Sequence, residues 1–190
     1  MKRNTTKEII LNKHENNAVE YKFTRNHVNV AENNMTLVKN SLRGGSMEFD
    51  SYTRCLGQVI VESYLKRLGL KSLQRKYGQE IGFIRLENGK SVFVCTKGTC
   101  VPYCHSYYDC DVKCGSHVSK PDYYCFVRIQ GKVVGSSKGG YKKFDHKGYN
   151  KAFICGFIPF KKMVLKKREV KDSKGCSMYR CYVSDLTSLQ

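Results

Sequence analysis

No apolar run in this 190-residue chain approaches the length a bilayer crossing needs, which excludes a helical membrane span. The start, Met1-Lys2-Arg3-Asn4-Thr5-Thr6-Lys7, leads through Glu8-Ile9-Ile10-Leu11 into polar Asn12 to Asn17, too short for a secretory signal core. An intracellular, cytoplasmic protein is therefore expected, in a host cell if the chain is viral, and no apolar helical face is rich enough to hold it on a membrane. Acidic residues are scarce, 16 against 34 lysines and arginines, and no aspartate occurs between Glu62 and Asp109. Gly135-Ser136-Ser137-Lys138-Gly139-Gly140 lacks the Gly-Lys-Ser/Thr order of a nucleotide P-loop, which leaves a flexible connector or a phosphate-contacting loop. His105, His117 and His146 are dispersed, so no histidine–metal nuclease arrangement is formed.

The balance of charge is +18, with a sequence pI near 9.5. Such an excess attracts polyanions, with affinity that falls as salt rises. The basic residues gather at Lys138, Lys142, Lys143, Lys147 and Lys151 and again from Lys161 to Lys174. Solvated strand and loop faces are the plain alternative. At 41% hydrophobic residues the chain can bury a core without staples. Its Asn- and Lys-rich composition suits an AT-rich genome, that of a phage or other virus.

Ten cysteines call for their own reading in a reducing compartment, where disulfides are not expected. Cys95, Cys100, Cys104, Cys110 and Cys114, with His105, fall within twenty residues, and Cys176 and Cys181 form a second loose pair. Three states are open: buried free thiols, a structural zinc using Cys95, Cys100, Cys104 or His105, or a nucleophilic thiol beside His105 or His117. The spacings Cys100-x3-Cys104 and Cys176-x4-Cys181 meet the tight zinc knuckle only loosely.

Apolar periodicity from Glu48 to Leu68 predicts an amphipathic helix stopped by Gly69. Residues 1–45 read as a helical or flexible arm before a domain at 46–190, with Gly44-Gly45-Ser46 as the break. Strands are expected at 81–86 and 91–95 around an Asn88-Gly89 turn, then at 109–114, 123–129, 152–158 and 178–183. Segments 96–108 and 131–151 read as loops, and 160–168 as a helix or turn. The sum is α/β, one mixed sheet with helices on its faces.

The most informative stretch is Asp109-Cys110-Asp111-Val112-Lys113. In a strand, Asp109, Asp111 and Lys113 share one face while Cys110 and Val112 share the other. Two carboxylates beside an ammonium can hold a hard divalent cation and orient a water toward phosphorus. A chance acidic pair on a solvent-facing strand is the alternative.

Around it lie Leu56-Gly57-Gln58-Val59-Ile60-Val61-Glu62 on the helix, then Asp122-Tyr123-Tyr124-Cys125-Phe126-Val127, Gly156-Phe157-Ile158 and Val183-Ser184-Asp185-Leu186. This order, over residues 48–189, resembles small phage and bacterial nucleases of the PD-(D/E)xK superfamily, with a restriction-endonuclease-like fold. The resemblance implies a magnesium- or manganese-dependent endonuclease, cutting DNA rather than RNA. Asp111, the carbonyl of Val112 and a second carboxylate, Asp109 or Glu80, would hold the metal, with Glu62 joining from the helix and Lys113 positioning the water. Glu87 is a further candidate for the absent first acid, and Gln58 stands where the family often carries glutamate. Arg128, Lys132, Lys138, Lys142 and Lys143 would grip phosphates, and a homodimer would serve a double-strand cut. A non-catalytic, zinc-stabilised nucleic-acid-binding protein is the competing reading.

Overall fold

The computed structural model describes residues 11–12, 18–39, 48–73, 81–113, 120–134, 143–165, 170–171 and 177–189. In chain order these form β1 (Leu11–Asn12), β2 (Val19–Lys22), α1 (Arg25–Lys39), α2 (Glu48–Arg67), β3 (Phe83–Arg85), β4 (Ser91–Thr99) and β5 (Asp109–Lys113). There follow β6 (Tyr123–Gln130), β7 (Lys132–Val134), β8 (Lys143–Asp145), β9 (Lys151–Pro159), α3 (Phe160–Leu165), β10 (Val170–Lys171), β11 (Ser177–Tyr182), a 3-10 turn at Val183–Asp185 and β12 (Ser188–Leu189).

The main sheet has five strands in the order β2-β9-β6-β4-β3, antiparallel except for the parallel β4–β6 pair. At its centre β6 buries Tyr124, Cys125, Phe126 and Val127 in succession, so both faces of the sheet must be covered. Toward one face α1 and α2 supply Ala31, Leu56, Ile60 and Leu65 against Val94, Val127 and Ile154. Toward the other, Cys110 and Val112 of β5, Cys181 of β11 and Met163 of α3 pack on Phe93, Phe126 and Ile158. The architecture is thus α/β, a mixed sheet with helices.

The 109–114 and 178–183 strands, expected in the same sheet, stand apart in a second one ordered β10-β11-β5. Cover for the far face of β6 is the physical reason: β5 and β11 each present one apolar edge inward. Pairing explains two further departures. β4 does not stop at Cys95 but continues to Thr99, because it is hydrogen-bonded to β6 from Val92↔Tyr123 through to Thr99↔Gln130. The expected 131–151 loop holds the β7–β8 hairpin, Lys132↔Asp145 to Val134↔Lys143. Within the stretch read as an arm, β2 pairs with β9 and α1 packs on α2, so residues 18–39 share the core of the later segments.

β9 carries a bulge. Phe126 faces Gly156 while Val127 faces Ile154, which leaves Cys155 as the extra residue. The extra residue resets the alternation, so Ile154 and Phe157 both join the helical side and Cys155 and Ile158 the other. Gly156 sits at φ 135, and a Cβ there would meet Leu186 Cβ at 2.8 Å and Thr187 O at 2.9 Å. Among the described residues no helix is long and apolar enough to cross a membrane.

The α2 helix ends as the sequence predicts: Gly69 adopts φ 78, with its N–H on Lys66 O and the Leu70 N–H on Leu65 O. Its middle is pressed against β4 at Gly57, where a Cβ would run into the Thr96 hydroxyl and methyl. Overpacking of this kind costs about 1–3 kcal/mol. Gly57→Ala should lower the urea-unfolding free energy by about that much, and Thr96→Ala in the same chain should recover part of the loss.

Helix α1 starts on an unusual cap. Thr24 precedes it, and His27 Nδ1, three residues on, accepts the Thr24 N–H at 3.1 Å and lies 2.8 Å from Thr24 Oγ1. Its Nε2 reaches Tyr21 Oη at 3.2 Å and Ser63 Oγ at 3.1 Å. Burial, then the charge of Arg67, holds the His27 pKa below its ordinary value, and burial does the same for His146. The unfolded chain therefore binds protons first as pH falls below about 6.5, and stability must decline there. Thermal unfolding should shift to lower temperature between pH 7.5 and 5.5, and His27→Gln, which keeps an acceptor for the Thr24 N–H, should reduce the slope.

Candidate nucleic-acid interface

Strand parity holds in β5: Cys110 and Val112 are buried, and Asp111 lies on the opposite, partly open face. The neighbour across the ladder is Arg180, directly opposite Asp111 in the β5–β11 register. Its guanidinium grips the carboxylate as a fork, Nε to Oδ1 at 2.7 Å and Nη2 to Oδ2 at 3.1 Å. Lys97 Nζ, from the end of β4, donates to Oδ2 at 3.2 Å, and Arg180 Nη1 also lies 3.6 Å from Asp109 Oδ2. Burial acts to raise the Asp111 pKa, but the Arg180 hydrogen bond and the Lys97 charge outweigh it, and the net shift is downward.

This arrangement differs from a metal site. Both Asp111 oxygens are already held by cations, and magnesium demands open oxygen ligands at about 2.0–2.1 Å in near-octahedral array. As placed, the pair Asp109 and Asp111 does not fit that ion. Glu62 does not join it either: it lies on α2, the layer against the other face of the main sheet, where Gln58 Nε2 donates to its Oε1 at 2.8 Å. Gln58 itself is buried and structural, its Oε1 accepting the Gly82 N–H at 2.9 Å. Glu80, Lys138 and Lys142 fall outside the described residues, as do the side chains of Lys113 and Lys143. Glu87 and Lys132 are exposed, at the β3–β4 turn and on β7.

The cysteines and His105 part company too. Cys104 Sγ lies 3.6 Å from Cys155 Sγ, Cys100 is exposed, and burial pushes the Cys95 thiol up to about 12. All eight described cysteines are free, and five of them are buried. Among the described residues no three His, Cys, Asp or Glu side chains gather to hold a metal ion.

His105 is instead the hub of an aromatic cluster that sequence reasoning missed. Tyr107 stacks on it at 4.7 Å and 15°, while Tyr103 and Tyr108 meet it edge-on at 4.5 and 5.1 Å. Tyr103 and Tyr107 are 49% and 65% exposed, an unusual placement for large rings. Arg128 links this cluster to the acidic strand: its guanidinium sits 4.3 Å over the Tyr108 ring, and Nη2 donates to Asp109 O at 3.0 Å. Backbone bonds pin the loop, Val183 N–H to Tyr108 O at 3.1 Å and Ser184 N–H to Ser106 O at 2.9 Å. The alternation Tyr103-x-His105-x-Tyr107 was the available signal, masked by the zinc interpretation of His105.

The face therefore combines three cations, Lys97, Arg128 and Arg180, with two carboxylates and exposed rings. Removing the fork tests whether Asp111 depends on it. Arg180→Met should cost about 1–3 kcal/mol at neutral pH, since it strips a charge-assisted bond from a partly buried carboxylate. That contribution should be present above about pH 3.9, the unfolded carboxylate value, and be lost as pH falls through the lower folded value. Urea titrations of Arg180→Met, Asp111→Asn and the double variant should show the double losing less than the sum.

Comparison with family models, curated proteins and solved structures gives no match for this chain.

Proposed function

We propose that the protein binds nucleic acid, laying bases against the Tyr103, His105 and Tyr107 cluster and phosphates beside Lys97 and Arg128. The observation that carries this reading is the pair of exposed tyrosine rings arrayed about His105 next to Arg128, in a chain of net charge +18. Aromatic platforms flanked by cations suit single strands, whose bases are free to stack, each worth about 1–3 kcal/mol. Asp109 and Asp111 serve as counter-charges that hold Arg180 in place.

The test is fluorescence anisotropy with single-stranded DNA, single-stranded RNA and duplex DNA across a salt series. Binding should weaken steeply with salt, and Tyr107→Ala should weaken single-strand binding by about 5- to 150-fold, the equivalent of one stacked base. No binding at low salt, or an unchanged affinity in Tyr107→Ala, would sink the proposal. The same samples with magnesium or manganese and plasmid address the restriction-endonuclease-like alternative, favoured by Asp109 and Asp111 sharing one face of β5. Cutting that needs both the metal and Asp111 would favour that alternative over binding alone.

A further inference from the structure

Five sulfurs lie in or against the core between the two sheets: Cys110, Cys155 and Cys181 within it, with Cys95 and Cys104 packed on its margin. Within this group Cys104 and Cys155 approach to 3.6 Å between sulfurs, one on the aromatic loop and the other on the β9 bulge. Their surroundings are unequal. Cys104 is partly buried at the core margin and Cys155 is buried within it, so an oxidant reaches Cys104 first. The neighbouring Cys110 and Cys181 are both buried, and Cys181 directs its thiol to the Cys110 carbonyl at 3.7 Å.

We propose that Cys104 and Cys155 form a reversible disulfide, with Cys104 as the attacked thiol and Cys155 as the resolving one. With hydrogen peroxide as oxidant, the Cys104 thiolate displaces hydroxide from the peroxide, forming an S–O bond and breaking O–O to give a sulfenic acid. Cys155 then attacks that sulfur: the S–S bond forms, the S–O bond breaks, and the proton of Cys155 leaves with the hydroxyl as water. The hydrogen bond between the two sulfurs holds the Cys104 thiol below its usual range, against burial and with help from Arg128. The sulfurs must close from 3.6 Å to about 2.05 Å, a movement assigned to the loop side. The bond would tie the segment between Tyr103 and His105 to the main sheet. It rests on the sulfur geometry and the unequal burial of the two thiols, and stands whether or not the loop binds nucleic acid.

The test treats the reduced full-length protein with hydrogen peroxide, followed by unreduced peptide mapping. A Cys104–Cys155 linked peptide that disappears on adding dithiothreitol is expected. Cys104→Ser should abolish it, and Cys155→Ala should leave Cys104 as a sulfenic acid that dimedone labels, circular dichroism confirming that both variants fold. Linkage of Cys110 to Cys181, linkage of Cys104 to Cys95 or Cys100, or oxidation of the unsubstituted protein that stops at sulfenic acid would overturn the proposal.

Discussion

The fold is organised by a strand whose middle water cannot touch. Four consecutive side chains of β6, Tyr124 to Val127, are buried, so the main sheet needs an apolar layer on each side. Two helices provide one layer. The other is assembled from β5, β11 and α3, none of which is long enough to be stable by itself. Because β5 and β11 turn Cys110, Val112 and Cys181 inward, Asp109, Asp111 and Arg180 must turn away from that core. The charged site is thus a by-product of covering β6.

The elements that depend on local pattern were legible in the sequence. The 3.6-residue period of α2, the stop at Gly69 and the Asn88-Gly89 turn between β3 and β4 all have signals within a few residues. The inward placement of Cys110 and Val112 follows from parity alone. What was hidden depends on distant partners. Nothing within 91–99 states that β4 runs parallel to β6, and nothing near Asp111 states that Arg180, 69 residues on, faces it. The α1 cap uses His27 where a glutamate or glutamine would have been recognised.

The same distinction explains the change in how the site is read. Residue types alone make Asp109, Asp111 and Lys113 an acidic pocket awaiting a cation; the tertiary pairing supplies cations from the protein itself. An internal ion pair also fixes the guanidinium of Arg180, so less side-chain freedom remains to be lost when a ligand arrives. The aromatic loop is fixed in a comparable way by the 183–184 turn, through backbone bonds that no side-chain pattern announces.

The bulge in β9 gives the strand one residue to spare. Cys155 and Gly156 together occupy a single rung opposite Phe126, and the rungs on either side keep their facing. A chain shortened by that one residue would still send Ile154 and Phe157 toward the helices and Ile158 toward the second sheet. The helix-side core would keep its facing, while the second core would lose the buried Cys155 side chain. Most positions inside a central strand also set its register; this one sets none, so its thiol is held by packing in the second core and not by the pairing of the strand.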